Sequence, residues 1–160
     1  MTVFFIKELK DVQISELIAA KKIIVCLDVG DKTVGISVSD RGIHIATGVT
    51  TLERKGYSKD FERIIEILKP YKIGLIIFGW PVQMNGQPGP QCEKVLNFVE
   101  QLHEYLPADY AQWDERFSTS AVETIMLEAD LSRKKRKNVI DKGAATYILQ
   151  GALDFLNRDN

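Results

Sequence analysis

Three acidic positions stand where this chain could do chemistry. Asp28 follows the apolar run Ile23-Ile24-Val25-Cys26-Leu27. Asp114 and Glu115 follow Tyr110-Ala111-Gln112-Trp113. Asp141 leads the stripe Ala144, Ala145, Ile148. Open α/β sheets place their ligands at the C-terminal ends of strands, so the first two lie where a site is expected. Each has an ordinary explanation when taken alone. Asp and Gly are common turn residues. Asp114-Glu115-Arg116 reads as a surface ion pair of little worth, and Asp141 as a helix N-cap or first-turn acid. Together they predict more. Carboxylates gathered at one sheet edge repel one another unless a cation sits among them. Hard oxygen ligands select Mg2+ or Mn2+. Two such ions about 4 Å apart activate water and stabilise the leaving oxygen in phosphodiester hydrolysis.

The matching positive charge is local. The chain of 160 residues carries a net charge of −1, which excludes a strong overall field toward nucleic acid or membrane. Its one concentrated run is Arg133-Lys134-Lys135-Arg136-Lys137. Consecutive like charges repel unless a polyanion pairs with them. This run, read as a loop, is therefore expected to hold a nucleic-acid backbone together with Arg116 and Lys142.

The elements that must position these residues follow from periodicity. Residues 23–27 form a continuous β-branched run, expected as a strand buried on both faces. Val34-Gly35-Ile36-Ser37-Val38-Ser39 alternates with period two, and residues 43–51 follow another turn, giving a three-stranded meander. Phe61, Ile64, Ile65 and Leu68 fit one helix face, ended by Pro70. Leu75-Ile76-Ile77-Phe78 is a second buried strand. Val95, Phe98, Val99, Leu102, Tyr105 and Leu106 form a second helical stripe, and residues 110–113 a short fifth strand. Ser120 and Glu123 match a capping box opening a helix through about residue 128. A last helix is expected from about Asp141 to Leu156. The order βββαβαβαα predicts an α/β fold: a mixed five-stranded sheet with helices on both faces, its later strands parallel to the first. Residues 1–22 are expected as an N-terminal extension and residues 23–160 as a single domain. Trp80 is expected as a packed aromatic beside a rigid turn, and neither histidine is given a role.

Composition excludes several classes. Hydrophobic residues make up 45% and charged residues 27%, the profile of an ordinary globular chain. Two cysteines without a CxxC spacing argue against a disulfide framework or a zinc ribbon. Val3-Phe4-Phe5-Ile6 is too short for a signal-peptide core, and the uncharged stretch 73–92 is broken by Pro and Gly, so a cytoplasmic protein with no membrane partner is expected.

Four motifs in order carry a resemblance. They are residues 28–35 (Asp-Val-Gly-Asp-Lys-Thr-Val-Gly), Gly79-Trp80-Pro81-Val82-Gln83-Met84-Asn85-Gly86 with Gly89-Pro90-Gln91, Asp114-Glu115-Arg116-Phe117-Ser118-Thr119, and the basic run with Asp141-Lys142. From about residue 22 to its end the chain resembles the YqgF/RuvX family, described as Holliday junction resolvase homologues and as pre-16S rRNA nucleases. The resemblance implies an RNase H-like fold and a metal-dependent nuclease. It also implies a role in maturing the 5′ end of 16S rRNA during ribosome biogenesis, with precursor rRNA and ribosome assembly intermediates as partners. The family's acids carry over onto Asp28, the Asp114-Glu115 pair and Asp141. Neighbours on a strand point to opposite faces, so one member of the pair should face the metal. Glu115 is favoured, with Asp114 second. Asp28, Glu115 and Asp141 are then the expected Mg2+ or Mn2+ ligands, and Lys32 joins the expected nucleic-acid contacts. The chain departs from the family pattern at Asp31, where Thr or Ser is usual. Resolvases with this fold also commonly carry an acid at the exit of the fourth strand; here that position is Gly79-Trp80-Pro81, with none. A junction-cleaving DNA endonuclease acting on branched DNA and a non-catalytic nucleic-acid-binding module remain as alternatives.

Overall fold

The computed structural model describes residues 5–81, 89–114 and 133–158, with residues 133–142 described by their backbone alone. In chain order the elements are β1 (Ile6–Lys7), α1 (Ile14–Ala19), β2 (Ile23–Val29), β3 (Thr33–Ser39), β4 (Ala46–Glu53), α2 (Tyr57–Leu68), β5 (Ile73–Trp80), α3 (Pro90–Tyr105), β6 (Tyr110–Asp114) and α4 (Arg133–Asn157). The strands lie side by side as β1-β6-β5-β2-β3-β4. β2, β3 and β4 form the expected antiparallel meander, while β5 runs parallel to β2, and β6 parallel to β5. Crossovers through α2 and α3, rather than tight turns, account for that polarity.

The run at residues 23–27 is almost wholly buried because both faces of β2 are covered. On one face Val25, Leu27, Ile76 and Phe78 meet Phe61 and Ile64 of α2 and Val95, Phe98 and Leu102 of α3. On the other, Ile24, Cys26, Leu75, Ile77 and Ala111 meet Ile148, Leu149, Ala152 and Leu153 of α4. Each large apolar side chain removed from water on either face contributes about 1.5–3 kcal/mol.

Two sequence expectations are corrected. The described sheet has six strands rather than five. Ile6 and Lys7 pair in parallel with Tyr110 and Ala111, and Leu9 and Ile14 are buried in the α4-side core. α1 then lies across β5 at Gly74, where an added Cβ would run into the Leu17 side chain. A two-residue strand is too short to show a period, so no pattern announced it.

The second correction concerns the basic run, which belongs to α4 rather than to a loop. That helix opens at Arg133, so Asp141 lies in its third turn instead of opening it. Lys and Arg are good helix formers, and no Gly or Pro interrupts residues 133–142. Mutual charge repulsion did not decide the local conformation. The expected capping-box helix at residues 120–128 falls outside the described residues. No helix among the described residues is long and apolar enough to cross a membrane.

Candidate active site

Asp28 is the penultimate residue of β2 and half-buried. Its cross-strand partner on β3 is Gly35. On the β5 side, one position beyond the Leu27–Phe78 pair, stands Gly79, which is in turn level with Trp113 of β6. Two glycines thus flank the carboxylate at its own height in the sheet. A Cβ added at Gly35 would lie 3.6 Å from the Asp28 Cβ and 3.3 Å from the Ala145 Cβ. Without side chains at these positions, the carboxylate has room and α4 comes close.

The approach of α4 has a specific anchor. Ser37 on β3 is fully buried, and its hydroxyl donates to the Ala145 carbonyl at 2.7 Å. Further along, Gln150 accepts from Ala46 N–H at 2.9 Å at the opposite end of the sheet. α4 therefore runs from the Asp28 end toward the β3–β4 turn. Asp141 is one turn before Ala145, about 6 Å back along the axis toward the Asp28 end. Its place in the third turn removes the N-cap explanation for an acid there.

Asp114 ends β6 in register with Trp80. Trp80 packs on the α2–α3 side of the sheet, 6.3 Å from Phe78 in a T-shaped contact. Trp113 packs on the other side, 5.8 Å from Phe155. Alternation along β6 places Asp114 with Trp80, on the face opposite Asp28. Glu115 and Arg116 lie outside the described residues. The side chains of Arg133, Lys134, Lys135, Arg136, Lys137, Asp141 and Lys142 are likewise not described; their backbone is helical.

Lys32 is exposed in the β2–β3 turn. Beside it, Asp31 turns toward α3. Its carboxylate lies 3.4 Å from Lys94 Nζ and 3.5 Å from Gln91 Nε2. These contacts, Lys94 first, hold its pKa below the usual value. The extra negative charge of this chain is thus balanced by a lysine that sequence reading passed over. Ser37 and Arg54 were also missed. Ser37 resembles any polar residue in an alternating strand, and the partners of Arg54 become visible only when β4 meets α2.

As a place for a hard divalent cation, the donor chemistry fits: an aspartate at a strand end, in a clearing that a Cβ at Gly35 would begin to fill. Among the described residues no group of three His, Cys, Asp or Glu side chains gathers at one point. Of the acids expected in the site, Asp28 is the one whose side chain is described on this face.

The comparisons agree with this architecture. The chain matches RuvX, described as a Holliday junction resolvase family, over residues 22–155. It is 50% identical over 132 residues to a Clostridium botulinum (strain Hall) protein named "Putative pre-16S rRNA nuclease", covering 82% of this chain and 96% of that protein. It is 48% identical over 132 residues, with the same coverage, to the protein of that name in Clostridium kluyveri. Among solved structures it resembles Thermus thermophilus RuvC bound to a Holliday junction, with a TM-score of 0.53 at 12% identity, covering 84% of this chain and 94% of that one. At that identity the likeness shows the fold, the RNase H-like fold of RuvC. A six-stranded mixed sheet of that fold, an acid at the exit of its central strand, and a family match over residues 22–155 lead to one statement: this chain belongs to the RuvX family.

Proposed function

We propose that the protein is a metal-dependent nuclease that hydrolyses phosphodiester bonds in precursor 16S rRNA near its 5′ end. The observation that carries this reading is the placement of Asp28 between Gly35 and Gly79, with α4 drawn down beside it at Ala145. Asp28, Glu115 and Asp141 would hold Mg2+ or Mn2+. Glu115 is preferred over Asp114 because Asp114 belongs to the opposite face of β6. When bound, the cation supplies an activated water and charge stabilisation at the leaving oxygen.

The remaining roles fall to the chain's own groups. Lys32 at the turn, Arg116, Lys142 and the Arg133–Lys137 stretch would hold backbone phosphates, which position the strand without reading its sequence. The names of the Clostridium relatives support ribosomal precursor RNA as the substrate. A cytoplasmic site of action goes with ribosomal precursor RNA as the substrate.

The test is cleavage of a 5′-extended 16S rRNA precursor with Mg2+, with Mn2+ and with EDTA, beside Asp28→Asn and Asp141→Asn. The expected result is metal-dependent cleavage that falls by about a thousandfold in either variant while circular dichroism stays unchanged. Cleavage by Asp28→Asn at the parent rate would remove the site assignment. RNA binding that ignores EDTA and yields no product would make the protein a binding module. Cleavage confined to a four-way DNA junction would make it a resolvase.

A further inference from the structure

The β2–β3 turn hangs from the strand that carries Asp28, and its closure depends on a residue far from the acidic motifs. Gly30 N–H donates to the Thr33 carbonyl at 2.8 Å, and Arg54 N–H donates to the Lys32 carbonyl at 2.8 Å. The Arg54 side chain reaches the same turn, its Nη1 donating to the Gly30 carbonyl at 2.9 Å. The guanidinium is held from behind as well. Its Nε lies 3.4 Å from Asp60 Oδ2, and the Asp60 side chain is 1% exposed. The other Asp60 oxygen accepts from Lys55 N–H at 2.8 Å. The rings of Tyr57 and Phe98 cover the guanidinium, their centroids 5.4 and 5.0 Å from its carbon.

A buried ion pair is weak evidence for stability, since apolar residues of similar volume often do as well. This pair does something apolar packing cannot. One planar fork joins a buried anchor on α2 to a carbonyl two residues beyond Asp28. A lysine has a single nitrogen and cannot span the two partners in the same way.

We propose that Arg54 is a positioning residue of the active site. By holding the Gly30 carbonyl from the buried Asp60, it fixes the turn that follows Asp28 and presents Lys32. This rests on the nuclease reading above, in that the positioned groups are its metal ligand and a phosphate contact.

The test compares the parent, Arg54→Lys, Arg54→Ala and Arg63→Ala, all at a temperature where circular dichroism shows them folded. Arg63 is the control: its Nη1 donates to the Glu53 carbonyl at 2.9 Å, at the same β4–α2 junction, and so holds the strand opposite Thr33 rather than the Gly30 carbonyl of the turn. Two readouts are taken, Mn2+ affinity by water-proton relaxation and cleavage kinetics. Arg54→Lys is expected to lose about tenfold or more in Mn2+ affinity or kcat, with a smaller rise, about threefold, in KM for RNA from the displaced Lys32. Arg63→Ala should match the parent, and millimolar methylguanidinium should restore part of the loss in Arg54→Ala. Parent values in folded Arg54→Lys would overturn the proposal. So would an equal loss in Arg63→Ala, or a loss that merely tracks the unfolded fraction. If the parent binds Mn2+ but cuts no RNA, the nuclease reading fails and the role of Arg54 is decided by the affinities alone. If it neither binds nor cuts, both fall.

Discussion

The two hairpins of the central meander, at opposite ends of the sheet, use the same kinds of residue in different ways. At the β3–β4 turn the acid builds the turn. Asp40 Oδ1 accepts from His44 N–H at 2.8 Å and from Ile45 N–H at 2.9 Å. α4 then closes over it, Gln150 donating to the His44 carbonyl at 2.8 Å and Asn157 to the Ile43 carbonyl at 2.7 Å. Ile43 is held there fully buried at a φ of +59°, a conformation unusual for a β-branched residue. At the β2–β3 turn the closing bonds come from the backbone and from Arg54, and Asp28 stays in the ladder opposite a glycine. One end of the sheet also has backbone bonds, Asp40 N–H to the Ile45 carbonyl and Ile43 N–H to the Asp40 carbonyl, but its own acid and two α4 side chains lock it. The other is braced from outside and keeps glycines around its acid. An aspartate near a turn is therefore read as structural or functional by what builds the turn, not by its distance from a glycine.

The contrast can be broken most severely at Gly35. Gly35→Val would press a branched side chain against Ala145 and beside Asp28. It is expected to cost about 2 kcal/mol in urea unfolding through overpacking, and to abolish cleavage because α4 can no longer approach. Full activity in this variant would show that the close approach is dispensable. At the other end, Gln150→Ala removes bonds to Ala46, His44 and Asp154. It should cost about 1–2 kcal/mol and leave the rate per folded molecule unchanged. A loss of rate at unchanged stability would mean that the two ends are coupled through α4.

The smallest effect is expected at Asp40, and it depends on pH. Burial pushes its pKa up, but the backbone N–H groups of Ile45 and His44 outweigh this, and the folded pKa lies below the usual value. A group with a depressed folded pKa stabilises above its unfolded pKa and loses that contribution as pH falls through the folded one. Asp40→Asn should therefore cost under about 1 kcal/mol at neutral pH, because the site is solvent-screened. The difference from the parent should vanish in acid. An equal difference at pH 7 and pH 3 would show that hydrogen-bond geometry, not charge, is what matters.

Much of the fold was legible because burial on both faces writes itself as uninterrupted apolar runs. Residues 23–27 and 75–78 are strands of that kind, and the crossover rule then fixed which strands are parallel. The place of Asp28 at a strand end was legible for the same reason, as the first acid after such a run. The start of α4 was not, because charge repulsion suggests a loop while lysine and arginine favour helix, and in the fold the helical preference prevails. Arg54 was invisible because its partners Gly30, Asp60 and Phe98 come from three separate elements. The pairing of Lys94 with Asp31 likewise needs α3 to be set beside the turn.

The edge strand β1 bears on how the protein is made. Ile6 and Lys7 have no place in the sheet until Tyr110 and Ala111 have been translated, whereas β2, β3 and β4 pair with sequence neighbours. Contacts distant in sequence form late. The strand that leaves the ribosome ahead of the meander is therefore seated after it, and a nascent chain paused before residue 110 would carry Ile6 without the core it packs against.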